Sequence, residues 1–269
     1  MSDNLFPWKE YDNSWWNEIA SQIKEITRPA IEAQYDYQAV LKPLVEAVEQ
    51  YYKPILESVV HSIAQASRPL IAIEKMGEVQ YVCWDYLSSD FIEAIVNANN
   101  VNRALRELVL RDRLQKVNET IQNTTNSPIM QKHLRVYLQS VKAFQNADNE
   151  LAVIGFTSVL DGLLSDISKN PTPQLSPRIK TVLQKLEMET ILDNDEYATL
   201  ALAVTLEKSL SSFSAFSDFS GKEPKELNRN WIAHGRSTRK RTKLDCVKMI
   251  NLIYGLLLVD NLSHNSQRI

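Results

Sequence analysis

An all-α fold is predicted, on three observations. Glycine is scarce, 6 in 269 residues, against a usual share of roughly 7%, and an all-β fold with many tight turns needs it. Apolar residues recur at helical spacing along most of the chain. The breaks between them fall at proline- and asparagine-rich tracts such as 123–128 and 170–177, which read as loops. A chain of this length can bury a core without disulfides or metals.

The first helical stretch runs from about 10 to 27, with Trp15, Trp16, Ile19, Ile23 and Ile26 as its apolar positions. A longer amphipathic stripe follows over 30–66, from Ile31 through Leu41, Val45, Tyr52 and Val59 to Ile63. Pro29, Pro43, Pro54 and Pro69 punctuate it, each after a lysine or arginine. Interior proline kinks a helix, so this region reads as short helices, or one bent helix, sharing an apolar face. Over 70–84 the residues alternate with period two around Gly77, which predicts a short β-hairpin. Helix resumes from Ser89 to about Thr124, with an arginine face of Arg103, Arg106, Arg111 and Arg113. The tract AsnThrThrAsnSerPro then marks the expected domain boundary, separating 1–125 from 126–269.

Beyond the boundary, helices are expected over 127–146, 151–168, 178–192, 195–216 and 242–262. Gly155 and Gly162, seven residues apart, share a helix face and permit close packing there. Thr242 is a good N-cap, with Asp245 where a capping box wants an acid. The last helix is apolar on most sides, with Lys248 and Asn251 as its polar edge. It is expected to be a core helix or part of a dimer contact.

Composition excludes several function classes. No two glycines lie closer than seven residues apart, so no glycine-rich phosphate loop is present. The two cysteines, Cys83 and Cys246, form no CxxC pair. His61, His133, His234 and His264 are too scattered for a local metal pair. No metal and no cofactor are therefore expected. The start of the chain lacks the pattern of a secretory signal. The longest apolar run, Leu256–Val259, is far short of a membrane span. The expected place is a reducing cytoplasm, with no membrane partner.

Charge is unevenly spread. Residues 1–150 carry 15 basic and 20 acidic side chains, net −5, and 151–269 carry 15 and 13, net +2. Between Lys222 and Lys248 there are nine basic residues and three acidic ones, net +6. A short basic stretch of this kind points to an anionic partner.

The most informative segment lies inside it: LeuAsnArgAsnTrpIleAlaHisGlyArg, 227–236. Arg229 and His234 are five residues apart, Asn230 follows the arginine, and Gly235 can stop a helical turn after the histidine. A histidine can take and return protons at neutral pH. A fixed arginine binds phosphate bidentately and stabilises a phosphorane. Together they suffice for RNA cleavage by the internal 2′-hydroxyl. Arg236, Arg239, Lys240, Arg241 and Lys243 would hold the RNA backbone electrostatically. The same residues also fit a helix-capping arginine, a half-buried histidine and a solvated basic loop.

The segment resembles the signature of the HEPN superfamily, in the branch found in abortive-infection and toxin proteins. The stretch over 153–166, with AspGlyLeu at 161–163, is similar to an earlier helix of that branch. The resemblance covers roughly 130–262. It implies a four- to five-helix bundle, usually a homodimer, with metal-independent endoribonuclease activity that leaves a 2′,3′-cyclic phosphate. By this pattern Arg229 and His234 are the catalytic pair and Asn230 their polar support. Asp161 either orients one of them or lies on the bundle surface. Residues 1–125 would be a sensor, or would dock a partner such as an antitoxin. The alternative functions are a non-catalytic RNA-binding or scaffold protein with the same fold, and a structural interaction protein. Trp231 is expected to anchor the motif, His133 to sit at a surface or boundary, and Cys246 to be a buried, inert thiol.

Overall fold

A computed structural model describes residues 68–266, apart from 86, 113, 171, 173, 191–195 and 217–218. The expectations for Trp15, Trp16, His61 and Pro29, Pro43 and Pro54 lie outside the described residues. Apart from Arg68, those described fall in one compact unit that begins at Pro69. The fold of this unit is all-α, with no strand among the described residues.

Among the described residues, ten helices follow one another. They are α1 (68–78), α2 (Ser89–Val96), α3 (Val101–Glu107), α4 (Leu114–Asn126) and α5 (Leu134–Gln145). After these come α6 (Asn149–Ser168), α7 (Leu175–Thr190), α8 (Glu196–Ser214), the short α9 (Arg229–Ala233) and α10 (Lys243–Ser266). A π-helical turn at Leu108–Asp112 links α3 towards α4, and a 3-10 turn at Pro128–Lys132 precedes α5.

The hairpin expected over 70–84 is instead a helix followed by an extended segment. Ala72, Ile73 and Met76 are buried, a helical spacing that the period-two reading concealed. Gly77 makes no turn. A Cβ there would come within 3.0 Å of the Lys208 side chain, so glycine lets α1 approach α8. The left-handed residue is Gln80, with φ 61°. The extended 81–84 stretch finds hydrogen-bond partners without a second strand. Cys83 N donates to Thr205 Oγ1 at 3.0 Å, and Asn251 Nδ2 donates to the Val82 carbonyl at 3.3 Å. Side chains of α8 and α10 thus meet part of the hydrogen bonding that a partner strand would supply.

The single helix expected over 89–124 is broken. Asn100 caps a new start by accepting from Arg103 N at 3.0 Å. Asparagine prefers caps to helix interiors, and three lie within 97–100.

The core sits on α6 and α10. Helix α6 packs against α5, α7, α9 and α10, and α10 also meets α4, α7 and α8. Both predicted glycine contacts fall on the α5–α6 seam. A Cβ on Gly155 would run into the Ser140 side chain, and one on Gly162 would meet the His133 ring. His133, half-buried as expected, pairs with Asp166 at 3.1 Å. Helix α6 is long and apolar enough to cross a membrane by length and composition, although no uninterrupted apolar run marked it. Its surroundings in this fold are other helices.

The expected capping box opens α10. Thr242 N donates to Asp245 Oδ2 at 2.8 Å, and Asp245 N donates to Thr242 Oγ1 at 3.3 Å. The polar edge expected on α10 is not a wet one. Lys248 is buried, donating to Glu226 at 2.8 Å and to Asn102 at 2.7 Å, and Asn251 is buried against Val82. A buried charge needs such a partner. Cys246 is buried as expected, and burial, then the nearby Asp245 and Glu150 charges, push its thiol up to about 12.

Candidate functional site

The motif 227–236 folds as one short helix between two irregular segments. Asn228 caps α9, its Oδ1 accepting from Asn230 N at 3.1 Å and Trp231 N at 3.4 Å, while its Nδ2 donates to the Ala215 carbonyl. The residue before the cap is clamped. Leu227 N donates to Gln80 Oε1 and Gln80 Nε2 donates to the Leu227 carbonyl, both at 2.8 Å. The helix ends at Gly235, whose φ of +64° is the left-handed conformation that favours glycine. Arg236 N and Ser237 N then return to the Trp231 carbonyl. The glycine stop read from the sequence is this one.

Trp231 is buried and anchors the turn. The ring of Phe219 packs edge-on to it at 5.5 Å and edge-on to His234 at the same distance. The Arg236 guanidinium lies 4.8 Å above Phe219. Phe219 therefore gathers Trp231, His234 and Arg236. Sequence reasoning missed it, because it lies in the polar segment beyond the helix expected over 195–216, although Phe213 and Phe216 precede it at intervals of three.

Arg229 and Asp161 meet across the α6–α9 contact. Arg229 Nη2 and Nε both donate to Asp161 Oδ2, at 2.8 and 3.0 Å, and Nη1 reaches Asn230 Oδ1 at 3.4 Å. Asp161 Oδ1 is buried with no hydrogen-bond partner. Both side chains keep a quarter to a third of their surface in solvent. Of the two places open to Asp161, orienting the motif or lying idle on the surface, the geometry puts it on Arg229. His234 is exposed at the C-terminal end of α9.

The basic loop divides into two groups. Arg236, Lys240 and Lys243 are exposed, with the Lys243 ammonium 5.7 Å from the Phe144 ring. Arg239 and Arg241 are committed to carboxylates of the fold. Arg239 pairs with Asp245 through two contacts of 3.2 Å, and Arg241, only 3% exposed, faces Glu223 at 3.3 Å. Four of the nine basic residues between Lys222 and Lys248 thus face carboxylates: Arg229, Arg239, Arg241 and Lys248. The net charge of the stretch overstates its outward field. Burial alone would raise the Asp245 carboxyl, yet Arg239 and Thr242 hold it below the usual carboxylate range. Glu223 is lowered likewise, against burial, by Ser237, Thr238 and Arg239. Among the described residues, no group of three His, Cys, Asp or Glu side chains converges as a metal site would require.

No family model, curated protein or solved structure matches this chain.

Proposed function

We propose that this protein is a metal-independent endoribonuclease of HEPN type, acting in phage defence or as a toxin. The observation that carries the reading is the Asp161–Arg229 pair at 2.8 Å, one short helix away from an exposed histidine. A carboxylate on a rigid core helix pre-orients the guanidinium, so little entropy is lost when it meets a phosphate. Asp161 takes the Nε proton and one Nη2 proton, Asn230 takes one from Nη1, and the other guanidinium protons are left for phosphate oxygens.

In the proposed reaction His234 acts as base or acid. As base it takes the 2′-hydroxyl proton, and the 2′-oxygen attacks the adjacent phosphorus. The bond to the 5′-oxygen breaks, and that oxygen takes up a proton as it leaves. The products are a 2′,3′-cyclic phosphate and a 5′-hydroxyl. Arg229 stabilises the charge on the phosphorane.

A homodimer fits this arrangement. Five residues of helix separate Arg229 and His234 by about 140° around its axis, so facing α9 helices from two copies would complete one site. Leu151 and Ile154, on the same helix as Asp161, are 57% and 52% exposed. They offer an apolar face for the second copy. Docking of a sensor or antitoxin through 1–125 belongs to the same proposal.

The test is cleavage of total cellular RNA in EDTA by the wild type, His234→Ala and Arg229→Ala proteins. Cleavage by wild type alone, with losses of roughly 100-fold or more in both variants, supports the assignment. Equal cleavage by all three overturns it. A second reading, RNA binding without cleavage, is favoured by the exposed Arg236, Lys240 and Lys243. It predicts salt-sensitive RNA binding by wild type that survives His234→Ala, with no product formed.

A further inference from the structure

One carboxylate beside the motif sits in an unusual cradle. Glu223 Oε2 accepts from Thr238 N at 2.8 Å, Arg239 N at 3.0 Å and Thr238 Oγ1 at 3.1 Å. Its Oε1 accepts from the Ser237 hydroxyl and from Arg241 Nη2 at 3.3 Å. Arg241 Nη2 also donates to Ser237 Oγ. Two successive backbone N–H groups, two hydroxyls and a guanidinium therefore converge on one anion. That is the donor set of a phosphate site.

The cradle has donors to spare. Arg241 is buried, and its Nη1 has no hydrogen-bond partner. A carboxylate offers two oxygens, whereas a phosphate group offers more and in three dimensions. The neighbouring acids are engaged elsewhere. Asp245 holds Arg239 and Thr242, and Glu150 accepts from Arg241 N at 2.6 Å. Glu223 itself comes from an irregular segment containing Gly221 and Pro224, between exposed Lys222 and Lys225. No helical ladder ties it down. Exposed Arg236 precedes the loop and exposed Lys240 lies within it, and both would draw a polyanion towards it.

We propose that the Ser237–Arg241 loop is a phosphate-binding site which the Glu223 carboxylate occupies in the resting protein, and that a backbone phosphate of RNA displaces it. Entry of the RNA then exchanges one anion for another, so the buried Arg241 is never left unpaired. The choice of RNA as the source rests on the ribonuclease reading; the phosphate site itself does not.

The test uses the full chain and inorganic phosphate. Melting temperatures of wild type, Glu223→Ala and Glu223→Gln are compared in phosphate and in sodium chloride of equal ionic strength. Phosphate stabilises proteins generally, so the wild type sets the baseline. With the plug removed, phosphate should raise the variants' melting temperatures by roughly 3 °C more than the wild type's, at about ten times its Kd. An equal increment in all three proteins makes Glu223 a structural counterion and overturns the proposal. If neither variant folds, tryptic cleavage after Lys222 in the wild type decides. Saturating phosphate must accelerate it if Glu223 leaves, and unchanged or slower cleavage overturns the idea. A phosphate increment without RNA cleavage leaves the site standing and sinks the ribonuclease reading. RNA cleavage without the increment does the reverse.

Discussion

At the residue scale, the site depends on a few side chains whose partners are specific. Asp161 holds Arg229 through a single oxygen and leaves the other buried and unpaired. Asp161→Asn keeps the shape and removes the charge. RNA cleavage should fall about 10- to 100-fold while the melting temperature moves little, since a partly solvated pair contributes about 1 kcal/mol. Single-turnover cleavage beside a thermal melt separates the two effects, and unchanged cleavage would dismiss the orienting role. Gln80 is the opposite case, bonded to the backbone before the motif rather than to its reacting groups, and structurally demanding. Gln80→Ala leaves the Leu227 N–H and carbonyl buried without partners. It should cost about 2–4 kcal/mol, read by urea denaturation. Cys246 should resist alkylation at pH 8 in the native protein and react only after unfolding, because its thiol is buried and stays protonated.

At the scale of elements, the α5–α6 seam shows how a glycine sets a helix distance. Alanine has better helix propensity than glycine by about 1 kcal/mol, so Gly162→Ala would stabilise an exposed helix. Here the new methyl meets the His133 ring, which is held by Asp166. Overpacking of about 1–3 kcal/mol should win, and the melting temperature should fall. A rise would mean that the ring moves away at little cost. The α1 helix teaches the converse lesson. Its sequence fits a hairpin as well as a helix, and Gly77 looks like a turn until Lys208 is beside it.

At the scale of the whole molecule, two carboxylates make stability depend on acid. Asp245 ties the basic loop to α10 and Glu223 ties it to the irregular segment before α9, and both carboxyls are lowered in the folded state. Their contribution is therefore fully present above the unfolded carboxylate range, about pH 5 and higher. It is lost as pH falls below about 4 and through the folded values. Urea denaturation from pH 7 to pH 3 should show this loss, and Asp245→Asn should flatten it. An unchanged acid slope in that variant would place the sensitivity on other groups.

What the sequence determined by itself was local. Helical periodicity, the Thr242–Asp245 capping box, the Gly235 stop, the buried last helix and the Gly155–Gly162 face are all set within a few turns of chain, where spacing alone dictates geometry. The residues of the candidate motif were legible for the same reason, since Arg229, Asn230 and His234 lie within six positions. What only the tertiary structure decided were the pairings across long separations. Asp161 to Arg229, Gln80 to Leu227 and Glu223 to the 237–241 loop join residues that no periodicity links. The same holds for charge. Nine basic residues between Lys222 and Lys248 read as one positive field, but folding brings Asp161, Glu223, Glu226 and Asp245 against four of them. A buried charge is tolerable only beside its counterion, and where that counterion lies is a property of the packing.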